Sequence, residues 1–102
     1  MRVVFQPAAR FYVIDIYGYY LDGGVPDVAE RFLTAVEQAT ENVRLMPQAG
    51  SPRFFPDPAL EGLRTWPVPR FRQLRLYYLT EADPVKVVRV LHDKRDVASI
   101  LG

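Results

Sequence analysis

The sequence predicts an α+β domain of two layers, a helical hairpin packed on an antiparallel sheet in the order βααβββ, and three observations carry that expectation. Residues 26–46 bear apolar side chains at helical spacing. A glycine pair separates them from an earlier apolar helix, and three runs rich in β-branched and aromatic residues fill the C-terminal half. A helical hairpin followed by consecutive strands is the α+β pattern, since alternating elements would give a parallel sheet instead. The chain has 102 residues, and residues 1–102 are expected to form one domain.

Val3 to Gln6 is short, β-branched and aromatic and is stopped by Pro7, so it reads as a strand. Pro7 suits the first turn of a helix, where its missing N–H leaves no bond unmade, and that helix runs from about Ala8 to Leu21 before Gly23-Gly24. Pro26 and Asp27 open the second helix. Val28, Phe32, Val36, Ala39, Val43 and Met46 recur at three- and four-residue steps, opposite Glu30, Glu37, Gln38 and Glu41, and Pro47 ends the run. The short connection makes the two helices antiparallel neighbours. The first helix has no comparable polar face. Tyr12, Val13, Ile14, Ile16, Tyr17, Tyr19, Tyr20 and Leu21 cover far more of it than the single stripe a surface helix buries. It therefore needs cover on two sides, from its own domain and from a partner, unless Tyr12 and Tyr19 turn their hydroxyls to water.

Pro47, Gly50, Pro52, Pro56, Pro58 and Gly62 mark residues 47–62 as a loop without regular structure, whose Phe54-Phe55 pair needs a pocket. Strands follow at about 63–66, 71–79 and 85–91, the last two joined as a hairpin through Glu81-Ala82-Asp83-Pro84. Pro67 and Pro69 place the end of the first of these strands at an edge, in a bulge or in the turn.

Composition removes several chemistries. Without cysteine there is no disulfide framework, no thiolate catalysis and no Cys-based zinc site, and a single His92 leaves an imidazole site short of ligands. Neither a metal nor a cofactor is expected. The glycine pair lies between helices, so there is no phosphate-cradling loop after a strand. No apolar run approaches a membrane span, and the chain reads as a cytoplasmic protein that does not enter a membrane. Asp93 and Asp96 read as a helix start, and His92 as a strand end.

The net charge of +1 hides an asymmetry: residues 1–50 carry −2 and residues 51–102 carry +3. Eleven of the thirteen basic residues are Arg, which suits forked bonds to carboxylate or phosphate, although high-GC coding would give the same bias. Arg64, Arg70, Arg72, Arg75 and Arg95 gather on or beside the C-terminal strands. Arg72 and Arg75 lie an odd number apart on one strand, so one of them must face away from the helices and offer an anion-binding surface, or simply a solvated one.

These residues carry a family resemblance. Leu63-Arg64, Trp66, Val68, Leu76-Tyr77-Tyr78, Val87-Val88-Arg89-Val90-Leu91-His92, Arg95-Asp96 and Ile100-Leu101 resemble the C-terminal half of the RelE/ParE superfamily of type II toxins. Pro7-Ala8, Ile16-Tyr17, Tyr20, Ala29, Phe32 and Leu33 resemble its helical hairpin, and Pro47 and Gly50 its Pro-x-x-Gly turn. The Val-Leu-His-x-x-Arg-Asp ending resembles the ParE branch most. Arg10 and Phe11 depart from the family's pattern, and Pro69 replaces a common turn glycine.

The resemblance implies a toxin neutralised by a cognate antitoxin in a hetero-oligomer, with two alternative targets. ParE-like members bind DNA gyrase and trap it on cleaved DNA, whereas RelE-like members cleave mRNA on the ribosome with basic residues and a C-terminal Tyr or His. Carried over by position, Arg64, Arg75 and Arg95 match nuclease basic sites, but the second basic site falls near Trp66 and the proton-transferring Tyr near Leu101. The gyrase reading is therefore preferred. A degenerate toxin that only binds its antitoxin is a third reading. Tyr12, Ile16, Tyr19, Arg64, Arg72, Arg75 and Arg95 are the expected target- or antitoxin-binding residues.

Overall fold

The computed structural model describes residues 2–80, 83–94 and 96–101. Strand β1 (Val3–Phe5) leads into helix α1 (Pro7–Asp22), followed by α2 (Pro26–Leu45). A two-residue β2 (Ser51–Pro52) precedes β3 (Arg64–Val68), β4 (Phe71–Leu79), β5 (Val85–His92) and a last short helix, α3 (Val97–Ile100). The sheet order is β1-β5-β4-β3-β2. It is antiparallel from β5 to β2, while β1 adds to β5 in parallel, with Val3 opposite Val85. The sheet is thus mixed, where the sequence led us to expect antiparallel pairing throughout.

Local chemistry explains the helix ends. Pro7 and Pro26 each occupy the first turn of their helix. Gly24, at φ 75°, ends α1 in the left-handed region, and the bonds Gly24 N–H to Leu21 O (3.1 Å) and Val25 N–H to Tyr20 O (3.1 Å) close a Schellman motif. Asp27 in the first turn of α2 and Arg44 in its last complement the helix dipole.

The apolar stripe of α2 does what its spacing predicts. Phe32, Val36, Ala39 and Val43 are buried with Ala9 of α1 against Leu74, Leu76, Tyr78, Val85, Val87 and Val90. The opposite face of the sheet is covered too, by a smaller cluster of Leu63, Tyr77, Val88 and Leu91 under Val97 and Leu101, with half-buried Phe55 and Leu60. Phe55 thus finds the pocket expected for the Phe pair, whereas Phe54 stays exposed.

Two regions depart from expectation. The 47–62 segment contains β2 and two 3-10 turns, Pro47–Ala49 and Pro58–Leu60, the second capped by the Asp57 carboxylate accepting from Ala59 N–H at 2.9 Å. Strand β3 runs two residues further than expected, through Pro67 to Val68, and of the edge, bulge or turn expected at its end the register shift between Pro67 and Val68 is a bulge. Residues 71–79 and 85–92 pair antiparallel as expected, while Glu81 and Ala82 of their connection lie outside the described residues.

Candidate functional site

The β3–β4 connection is the two-residue turn Pro69-Arg70, and Pro69 cannot supply a left-handed backbone. Arg70 takes it instead, at φ 69°, a conformation that costs a side-chain-bearing residue energy. This turn sets one wall of a groove of about 690 Å³. Ile16, Tyr19 and Tyr20 of α1 form the other wall, and Phe71, Arg72, Gln73, Leu74 and His92 lie between.

An aromatic cluster holds the walls together. Tyr20 packs on Phe32 and Phe71 with ring centroids 6.0 and 6.1 Å apart, and Phe32 meets Phe71 edge-on at 5.5 Å. Tyr19 stands edge-on to Tyr20 at 5.7 Å yet is 72% exposed. His92 Nε2 lies 3.3 Å from Gln73 Oε1. Among the described residues no carboxylate lines the groove, and neither Arg70 nor Arg72 forms an ion pair. The groove therefore offers two guanidinium groups that no described carboxylate compensates, beside an exposed phenol, an arrangement suited to an acidic partner.

The far face of the sheet holds a second polar cluster. Tyr77 Oη and Arg53 Nη2 both donate to Asp93 Oδ1, each at 2.6 Å, and the Arg53 guanidinium sits 5.8 Å from the Tyr77 ring centroid. Arg75 Nε donates to Thr65 Oγ1 at 2.9 Å. Burial, with the Asp93 hydrogen bond adding to it, pushes the Tyr77 hydroxyl well above the ordinary phenol range. Burial also acts to raise Asp93, but the Tyr77 hydrogen bond and the Arg53 charge outweigh it and hold the carboxyl below its usual value. These groups satisfy one another, so the cluster ties the 53–63 loop to the sheet.

The structure separates the residues singled out from sequence. Ile16, Tyr19 and Arg72 meet in the groove, with Arg70 and His92. Tyr12 is half-buried, and its hydroxyl donates to Asp96 Oδ2 at 2.6 Å. Arg64 lies opposite Tyr78 on the helix side of the sheet, its Nη1 donating to Gly50 O at 2.7 Å. Arg75 lies opposite Leu91 on the far face, so it is the one of the Arg72–Arg75 pair that turns from the helices. Arg64 and Arg75 therefore point to opposite faces. Arg95 lies outside the described residues. The Arg53–Asp93–Tyr77 cluster had no signal in the spacing: its members come from a loop, a turn and a strand, and Asp93 read as part of a helix start. In fact only Asp96 stands at the N-cap of α3, and the two carboxylates serve different partners.

Comparison with known proteins agrees with this architecture. Residues 3–97 match the family described as ParE toxin of type II toxin-antitoxin system, parDE. A solved chain of the chromosomal ParDE TA system from P. aeruginosa has a similar fold, with a TM-score of 0.72 at 16% identity over 90% of this chain and 95% of that one. No curated protein matches the sequence. Among the described residues, no helix is long and apolar enough to cross a membrane, and no group of acidic or imidazole side chains is arranged to hold a metal ion.

Proposed function

Because the chain belongs to the ParE toxin family of type II toxin–antitoxin systems, we propose that it binds DNA gyrase, holds it on cleaved DNA, and is neutralised by a cognate antitoxin. In this reading the protein is an inhibitor acting in the cytoplasm, without cofactor. The observation that carries it is the groove in which Arg70, Arg72 and exposed Tyr19 face outward together, with no carboxylate among the described residues that line it. Such a surface recognises acidic side chains by forked bonds and supplies an aromatic anchor.

The nuclease alternative draws less support. Phosphodiester cleavage needs a base, cations and an acid converging on one phosphate. Arg64 and Arg75 face opposite sides of the sheet and each already donates within the chain, to Gly50 O and Thr65 Oγ1.

Antitoxin binding follows the same surface. Tyr12, Ile16 and Tyr19 run along the edge of α1 that borders the groove and the C-terminal segment. An antitoxin segment folding along that edge would bring acidic residues to Arg72 and occlude the groove, in a toxin–antitoxin hetero-oligomer. Arg64, Arg75 and Arg95 remain candidates for peripheral contacts.

Two assays test the reading. Added to gyrase and plasmid, the protein should block supercoiling or accumulate cleaved DNA, Arg72→Glu should weaken that effect, and programmed ribosomes should keep their mRNA intact. Codon-dependent mRNA cleavage would replace gyrase with the ribosome as target, and inactivity in both assays would leave a chain that only binds its antitoxin.

A further inference from the structure

The β3–β4 turn borders a second depression. Between the turn and α2 lies a hollow of about 330 Å³, lined by Arg31, Thr34, Ala35, Gln38, Pro69 and Arg70. Arg70 lines the groove as well, so the two depressions meet at this residue. Arg31, Thr34 and Gln38 follow one another at steps of three and four along α2, which puts them on one face of the helix. All four polar side chains of the hollow can donate hydrogen bonds, and Arg31 and Arg70 do so with a permanent positive charge. Among the described residues no carboxylate lines it. Asp27, one turn earlier on α2, accepts from Arg31 Nη2 at 3.3 Å, but the two side chains are 61% and 76% exposed. So exposed a pair yields readily to a competing carboxylate.

We infer that the acidic protein partner of the groove continues across the β3–β4 turn and sets a carboxylate in this hollow, held by Arg31, Thr34, Gln38 and Arg70. The inference rests on the reading of the groove proposed above and adds α2 to the surface that the partner covers. Charge complementarity and continuity with the groove select this occupant. The backbone of the turn points the same way. Glycine would take its left-handed conformation at less cost, yet an arginine holds it where the two depressions meet.

The residues flanking the hollow favour a protein segment over a nucleic acid. Glu30, Glu37 and Glu41 lie exposed along α2. A phosphate backbone carries a charge at every nucleotide and would run against these acids, and a net charge of +1 gives it no general attraction. A protein segment can instead place a single carboxylate among the four donors and set neutral or basic side chains beside the glutamates.

Binding of the full chain to purified gyrase without DNA reads the contact, with Arg72→Glu reporting on the groove itself. Gln38→Lys, which adds a cation to the hollow, should tighten binding by about threefold, whereas Gln38→Glu and Thr34→Glu, which set a carboxylate there, should each weaken it by about tenfold. Gln48→Lys, the same change at an exposed glutamine beyond α2, should stay within about twofold of wild type, which removes overall charge as the cause. Damage to the fold cannot tighten binding, so the gain with Gln38→Lys separates a contact from misfolding. If Arg72→Glu weakens binding while the hollow variants behave like Gln48→Lys, the partner stops at the turn, and this inference falls while the reading of the groove stands. If Arg72→Glu is without effect, or gyrase does not bind, the reading of the groove falls and this inference with it. An effect of Gln38→Glu that arises only once DNA is added would give the hollow to a phosphate and overturn the acidic protein segment.

Discussion

Gly50 should not tolerate even one added carbon. Its backbone, at φ −65° and ψ 153°, is extended and open to any residue, so the constraint is space alone. A Cβ built there would lie 2.0 Å from Tyr78 Oη, 2.8 Å from Tyr78 Cζ and 3.0 Å from Thr65 O. Tyr78 has no room to withdraw: it is fully buried among the core residues under α2, and its hydroxyl donates to Pro47 O at 2.9 Å. Relief requires moving the ring and breaking that bond. Overpacking a core costs about 1–3 kcal/mol, and leaving a buried polar group unpaired adds about 1–3 kcal/mol. Gly50→Ala should therefore lose about 3 kcal/mol in chemical denaturation, or about 12–24 °C of melting temperature for a domain of this size. Tyr78→Phe removes the nearest atom but leaves Cζ, so adding Gly50→Ala to it should cost about half as much as in the wild type, a coupling that a double-mutant cycle resolves. A loss within about 0.5 kcal/mol for Gly50→Ala, or strict additivity with Tyr78→Phe, would refute the steric argument.

Phe32→Ala should cost about 3–5 kcal/mol, because Phe32 is fully buried and also holds Phe71 and Tyr20 at the floor of the groove; equilibrium unfolding measures it. Arg70→Gly should raise stability by up to about 1 kcal/mol by relieving the left-handed backbone, while weakening gyrase inhibition if the guanidinium is a target contact. The Asp93 carboxyl is held low in the folded state, so it contributes stability that is present above the unfolded-state value of about 4 and is lost as pH falls through the folded value. Asp93→Asn should flatten that part of the acid-unfolding profile, measured by denaturation midpoints across pH.

Most of the fold was legible because it follows from periodicity and punctuation. The spacing of Phe32, Val36, Ala39 and Val43 placed α2 on the sheet, and Pro7, Gly23-Gly24, Pro26 and Pro47 bounded the hairpin to within about a residue or two. What escaped has physical reasons. Two residues, one of them Pro52, are too few to show alternation, so β2 was hidden, and the four residues of α3 complete barely one turn. The parallel direction of β1 is a choice of partner made in three dimensions, on which a three-residue strand has no say.

Of the candidate site, the residue types could be read from the sequence but their arrangement could not. Residue types marked the C-terminal half as basic, and alternation along β4 put Arg72 and Arg75 on opposite faces. Whether Arg64 joins either of them depends on the β3–β4 register, which pairs Arg64 with Tyr78. The replacement of a turn glycine by Pro69 was the one hint that the neighbouring Arg70 would carry the left-handed conformation.

The pairing of Val3 with Val85 bears on how such a protein is made. Among the described strands, β1, made before the others, has as its sheet neighbour β5, made after them. A nascent chain can form its helical hairpin early, since those contacts are local, but it cannot complete the sheet until β5 has emerged, because a pairing so distant in sequence waits for both ends. Gln73 and His92, which line the groove together, come from strands made at different times. The groove proposed to meet the target therefore does not exist on an unfinished chain, and a prematurely terminated product lacking β5 is born without it.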